Sequence, residues 1–217
     1  MVLKPHRFST LSSPSQTRLL QLFPAKSTTQ LLSGGLRVVS LDDRHEYEAL
    51  SYEWGSMELT QKLYLDDGSY VAITESLFHA LRDIRHERDE RLIWADGLCI
   101  NQSNMKEREQ QVSSMGFIFR RAKSVITYIG PESDGSSIGI ELANKLSQCG
   151  KLWLGPGHAS DANDGLPPET DPTWKAVRKL ILRGWVGLPR ASTLSTLLTS
   201  CRWEDAGAHK NSSLIAN

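Results

Sequence analysis

Cysteine is scarce in this 217-residue sequence. Cys99, Cys149 and Cys201 lie about fifty residues apart with no C-x-x-C pair. An odd, sparse set of this kind fits reduced thiols better than a disulfide framework or a zinc site. Excess charge of either sign is missing too, since Lys+Arg and Asp+Glu both number 25. A balanced chain lacks the basic surplus with which proteins grip nucleic acid or anionic lipid, so neither is expected as a partner. No apolar run approaches the roughly 20 residues of a membrane-spanning helix. The N-terminal Met-Val-Leu-Lys-Pro-His-Arg-Phe has no apolar secretory core. The expectation is a cytoplasmic protein. Also missing are H-E-x-x-H, G-x-x-x-x-G-K-[ST] and G-x-G-x-x-G, which leaves metal, ATP and Rossmann cofactors without support.

What is present is a globular composition, with 39% hydrophobic and 23% charged residues, enough to build a sizeable core. Residues 1–16 are rich in Ser, Thr and Pro and read as a loose leader. Residues 18–23, 36–41 and 47–54 have strand character. Residues 62–65 and 70–73 flank Asp66-Asp67-Gly68-Ser69, which is hairpin turn chemistry. This first third reads as a small, largely antiparallel sheet.

The period then changes. Thr74 caps a helix whose apolar stripe is Leu77, Phe78, Leu81 and Ile84. Leu92-Ile-Trp94 has the apolar character of a buried strand. Asn104 and Glu107 stand in capping-box relation at the head of a long helix to about Ala122. Residues 124–129 form another strand, stopped by Gly130-Pro131. Strand, helix and strand at these lengths make a βαβ unit with parallel strands. A helix near 138–147, a long loop over 150–173, a last helix at about 172–182 and an irregular tail over 201–217 complete the chain. The fold class is α/β: a small mixed sheet with an antiparallel N-terminal part and a βαβ unit, helices packed around it.

Candidate chemistry concentrates after the buried strand. Asp96 follows the strand, Asn101 and Gln102 lie in the next loop, and Glu107, Arg108 and Gln111 open the long helix. Ligands of open α/β sheets bind beyond the carboxyl ends of parallel strands, near helix N-termini. Gln111, Met115, Ile118 and Ala122 share a helical face that Arg108 and Glu107 extend backwards, so the stripe is apolar in one half and polar in the other. Such a stripe suits a cleft lining. Asp96 and Asn101 equally suit loop backbone groups, and Glu107 the capping box alone. Along 47–54, alternation places Tyr52 and Trp54 on one face and Glu53 on the other. That pattern fits either an aromatic core with a solvated Glu or a cleft residue at 53. Gly135-Ser-Ser-Ile-Gly139 has the G-x-S-x-G form, but five residues separate it from the preceding strand, which disfavours a nucleophile elbow.

Three blocks then carry a family resemblance: Tyr47-Glu-Ala-Leu-Ser-Tyr-Glu-Trp-Gly55, Leu92-Ile-Trp-Ala-Asp-Gly-Leu-Cys-Ile-Asn-Gln102 and Glu107-Arg-Glu-Gln-Gln-Val112, continued by Met115, Ile118, Phe119, Ala122 and residues 125–130. In order and spacing they resemble the fungal heterokaryon-incompatibility (HET) domain, over residues 17–200 with a core at 47–130. The resemblance implies a role in non-self recognition and programmed cell death, a form of fungal innate immunity, with self-association or an incompatibility partner protein. It also implies a remote likeness to Toll/interleukin-receptor-like folds, some of which cleave the glycosidic bond of NAD. That chemistry needs a carboxylate beside an oxocarbenium-like centre. Glu107 and Asp96, then Glu53, are the candidate catalytic carboxylates. Tyr52, Trp54, Asn101, Gln102, Arg108 and Gln111 are the candidate substrate-binding residues. NAD enters as substrate; no cofactor and no metal are expected. One departure stands against this: Leu182-Arg-Gly-Trp185 is present, but Ser192, Ser195 and Thr196 occupy positions where the family carries Trp, Gln and Glu. This implies the alternative of a non-catalytic interaction module or an inactive, truncated relative.

Overall fold

The computed structural model describes residues 3–131, 136–148, 167, 168, 170–176 and 213–216. The chain divides into two compact units, residues 1–128 and 129–217.

The first unit is built on one mixed sheet. Its strands are β1 (Lys4–Pro5), β2 (Gln16–Leu22), β3 (Ser33–Ser40), β4 (Glu48–Tyr52), β5 (Gln61–Leu65), β6 (Ser69–Ile73), β7 (Arg91–Trp94) and β8 (Ser124–Tyr128). They lie in the order β1-β6-β5-β3-β2-β7-β4-β8. β2 and β3, joined by residues 23–32, pair antiparallel, as do β5 and β6, whose tight turn takes its left-handed position from Gly68 at φ 81°. β7 joins β2 antiparallel and β4 parallel, and β4 in turn pairs parallel with β8.

The position of β4 departs from the expected antiparallel arrangement. It sits inside the parallel half, between the two strands of the βαβ unit, so the crossover from β7 to β8 skips one strand. The burial explains this: consecutive Ala49 and Leu50 are 0% and 1% exposed, so both faces of the strand are covered, as parallel strands require. β2, antiparallel to both of its neighbours, is likewise covered on both faces at the centre of the sheet, with residues 17–20 buried in succession.

Three helices accompany the sheet. α1 (Glu75–Ile84) starts at Thr74, whose Oγ1 accepts from the Leu77 amide, and it buries Leu77, Ala80, Leu81 and Ile84. α2 (Asp96–Cys99) is a single short turn directly after β7. α3 (Met105–Arg121) starts at Asn104, whose side chain accepts from the Glu107 amide. It lies over a core of Leu19, Leu41, Tyr47, Trp94, Cys99, Ile100 and Ile118. There Trp94 meets Phe119 edge-on at 5.6 Å, and the Tyr47 hydroxyl donates to the Ile118 carbonyl at 2.5 Å. Burial pushes that phenol up to about 12, so it stays a donor.

The segment read as a loose leader is tied to the sheet. β1 pairs parallel with β6, the His6 amide donates to the Tyr70 carbonyl at 2.7 Å, and the Ser9 carbonyl accepts from Arg18. In the second unit, α4 (Ser136–Gln148) answers the expected helix, residues 173–176 are helical, and Ser213–Ala216 form strand β9 inside the expected irregular tail. Ser137 falls in the first turn of α4. Gly135, most of the loop over 150–173, most of the last helix, and Ser192, Ser195 and Thr196 lie outside the described residues.

Candidate functional site

The sequence-predicted residues separate into two clusters, one holding each end of α2. At its start, Asp96 is half-buried and its carboxylate receives two neutral donors. The Trp54 indole Nε1 donates to Oδ2 at 3.0 Å and the Gly97 amide to Oδ1 at 2.7 Å. The Tyr52 hydroxyl stands beside them, against Gly97. β4 delivers Tyr52 at its last residue, and Trp54 follows where the strand has ended. Gln102 donates from Nε2 to the Asp96 carbonyl at 2.8 Å, which fixes the first peptide of α2. Burial raises the Asp96 carboxyl above 3.8 against the pull of its donors. Burial, and then the charge of Asp96, raises Tyr52 as well, so that phenol keeps its proton.

At the other end of α2, the Cys99 carbonyl accepts from Arg18 Nη1 at 3.1 Å. The same guanidinium grips Glu107, Nη1 to Oε1 at 2.5 Å and Nη2 to Oε2 at 3.2 Å, with both side chains buried. The Asn101 amide donates to Glu107 Oε1 at 2.8 Å. Glu107 therefore makes only half of the capping box: it receives the Asn104 cap at its own amide, but its carboxylate turns to Asn101 and Arg18. One helical turn on, Gln111 is 1% exposed. Its Oε1 accepts from Thr17 Oγ1 at 2.7 Å and its Nε2 donates to the Gln16 carbonyl at 2.7 Å. Thr17 Oγ1 also accepts from Trp94 Nε1 at 3.0 Å.

The polar half of the α3 face thus meets β2 rather than solvent. Asp96, Tyr52, Trp54 and Gln102 converge; Glu107, Asn101 and Gln111 form the α3–β2 lock. Glu107 and Asp96 share no hydrogen-bond partner among the described residues. Arg108 and Glu53 are exposed and join neither cluster, although the Glu53 carbonyl accepts from Ser76 Oγ.

Arg18, Thr17 and the Glu48–Arg91 pair were not legible as site residues. Glu48 takes Arg91 at both oxygens, 2.6 and 2.7 Å, and Arg91 Nη1 caps α1 at the Ile84 carbonyl. The available signal was a charge inside an apolar strand, Arg18 before Leu19-Leu20 and Glu48 before Ala49-Leu50, since a charge there must find a partner. Among the described residues no group of three His, Cys, Asp or Glu is arranged to hold a metal, and no helix is long and apolar enough to cross a membrane.

This geometry rests on the sequence blocks at 47–55, 92–102 and 107–112. Residues 47–187 match the family described as Heterokaryon incompatibility protein (HET). The chain belongs to that family. It is also similar to heterokaryon incompatibility protein 6, OR allele, of Neurospora crassa, at 31% identity over 157 residues, covering 66% of this chain. The chain spans 23% of that relative's length. No solved structure matches it. For a heterokaryon-incompatibility protein, the family match includes the whole Asp96 cluster and the α3 half of the lock. It leaves out Thr17 and Arg18 on β2.

Proposed function

We propose that this chain is a domain acting in fungal non-self recognition, and that it promotes cell death by hydrolysing the N-glycosidic bond of NAD or a related nucleotide at Asp96. The observation that supports Asp96 is the identity of its partners. Glu107 and Glu48 are each neutralised by a buried guanidinium, whereas among the described residues the Asp96 carboxylate is held by an indole and a backbone amide and by no cation. A carboxylate without a fixed counter-ion is free to stabilise a developing positive charge. In the reaction, the bond from ribose C1′ to the nicotinamide nitrogen breaks and nicotinamide leaves with the electron pair. Water then adds to C1′ and releases a proton. Asp96 faces the oxocarbenium-like centre, and the Gly97 amide and Gln102 hold Asp96 in place. Purified protein incubated with NAD should release nicotinamide, and Asp96→Asn should reduce the rate at least about 100-fold. Turnover that survives Asp96→Asn removes this assignment.

A second reading, a non-catalytic interaction module, draws on the solvent side of α3, where Met105, Val112 and Phe117 are large, apolar and exposed. It predicts association that Asp96→Asn leaves intact and that Val112→Ser with Phe117→Ser abolishes. Unchanged association in that double variant removes it.

A further inference from the structure

The segment joining β4 to β5, residues 53–60, has no regular structure, and residues 55–60 are all exposed. Its internal hydrogen bonds are local, from the Thr60 amide to the Glu58 carbonyl and from the Glu58 amide to Ser56 Oγ, both 3.2 Å. Among the described residues, its hydrogen bonds to the body come from two side chains at its root: Trp54 Nε1 to Asp96 Oδ2, and Ser76 Oγ to the Glu53 carbonyl. Gly55 follows at φ 60°, a conformation that turns the chain away directly after the indole and that other residues adopt at a cost. Met57 and Leu59 stand exposed beyond that turn. A segment pinned by two side-chain bonds, with the rest in solvent, belongs to the low-stability end of a structure and opens without disturbing the sheet.

We infer that Trp54 is the latch of a loop that gates Asp96. With the indole bonded to Oδ2 the carboxylate is covered and one of its oxygens is occupied. When the indole–carboxylate and Ser76–Glu53 bonds break together, residues 53–60 lift about their ends at Tyr52 and Gln61, and Asp96 is exposed while the Gly97 amide and Gln102 still hold it. The gate stands on geometry alone. Only its effect on turnover rests on the reading of Asp96 given above.

Amide hydrogen exchange read by mass spectrometry, with carbodiimide labelling of carboxylates, tests the gate on the full chain. Trp54→Phe keeps an aromatic ring and removes the N–H donor; Ser76→Ala removes the second pin. The double variant should raise carbodiimide labelling of Asp96 at least tenfold, with the already exposed Glu53 and Glu58 as the internal reference. Exchange over 48–52 and 124–128 should stay at the wild-type rate. Unchanged labelling of Asp96 overturns the gate, because the two bonds then cover nothing. Faster exchange across β4 and β8 overturns it as well, because the bonds would then be part of the sheet's own stability. Neither readout involves NAD, so loss of the hydrolytic reading leaves the gate intact, and loss of the gate leaves Asp96 to be judged by turnover.

Discussion

Gly97 lies directly against the Tyr52 hydroxyl: a Cβ at position 97 would come closer to that oxygen than real Cβ atoms come to any heavy atom. The glycine is therefore required by a neighbour rather than by its own backbone, which has no positive φ. Two forces oppose each other at this position. Ala is the better helix former and by propensity would stabilise by about 0.5–1 kcal/mol. The clash forces the Tyr52 ring outward in a packed site, at about 1–3 kcal/mol. Gly97→Ala should be destabilising in urea unfolding and should alter the near-ultraviolet circular dichroism of the aromatic cluster. A stabilised variant would show that Tyr52 has room to move.

The Arg18–Glu107 pair calls for a double-mutant cycle. Removing one member of a buried pair leaves the other charge uncompensated, at about 3–5 kcal/mol, whereas replacing both with apolar side chains is often close to neutral. Arg18→Met should therefore cost more than Arg18→Met combined with Glu107→Leu. The combined variant still leaves the Asn101 amide and the Cys99 and Ser9 carbonyls short of a partner, so it should remain below wild type. Additive single effects in urea unfolding would show that the pair is not a unit.

Local order in this chain was legible because local chemistry dictates it. Thr74 and Asn104 cap their helices through side-chain oxygens, and the Asp66–Ser69 turn closes its hairpin. Non-local order was not. Alternation along a strand over 47–54 set Tyr52 and Trp54 together against Glu53; β4 ends at Tyr52, and the Trp54 indole reaches Asp96 from beyond the strand while Glu53 is solvated. Yet the same pattern could not place β4 between β7 and β8, because strand order depends on which faces are covered, and that depends on distant residues. The helical stripe of α3 correctly grouped Glu107 and Gln111 with Met115, Ile118 and Ala122. It suggested an open cleft because the partners that close it, Thr17 and Arg18, stand some ninety residues away. Arg108, one residue round the helix from Glu107, shows how narrow the buried arc is: it is exposed.

Gln111 and Arg108 make a paired prediction from that arc. Gln111→Leu removes the acceptor for Thr17 Oγ1 and the donor to the Gln16 carbonyl, leaving buried polar groups unpaired, at about 1–3 kcal/mol. Arg108→Ala alters only a solvated side chain and should stay within about 0.5 kcal/mol of wild type. Thermal or urea unfolding distinguishes them. Equal effects would mean that α3 is not locked to β2 through its polar half.

Asp96 gives the fold a pH dependence whose sign follows from its environment. Burial raises its carboxyl above 3.8, so the folded chain binds this proton more tightly than the unfolded chain does. Between 3.8 and the raised folded value the native state holds more protons, and stability falls as pH rises. The contribution is complete below 3.8 and gone above the folded value. Asp66 and Asp67, held below the ordinary range chiefly by Arg37 and by Ser69 respectively, slope the other way, their stabilisation being lost as acid protonates them. They cancel when wild type is compared with Asp96→Asn. The stability of Asp96→Asn relative to wild type should therefore climb as pH rises from 3.8 and then level off, in urea unfolding followed from about pH 3 to about pH 7. A relative stability flat across the range would show that position 96 is as well solvated in the folded chain as in the unfolded one.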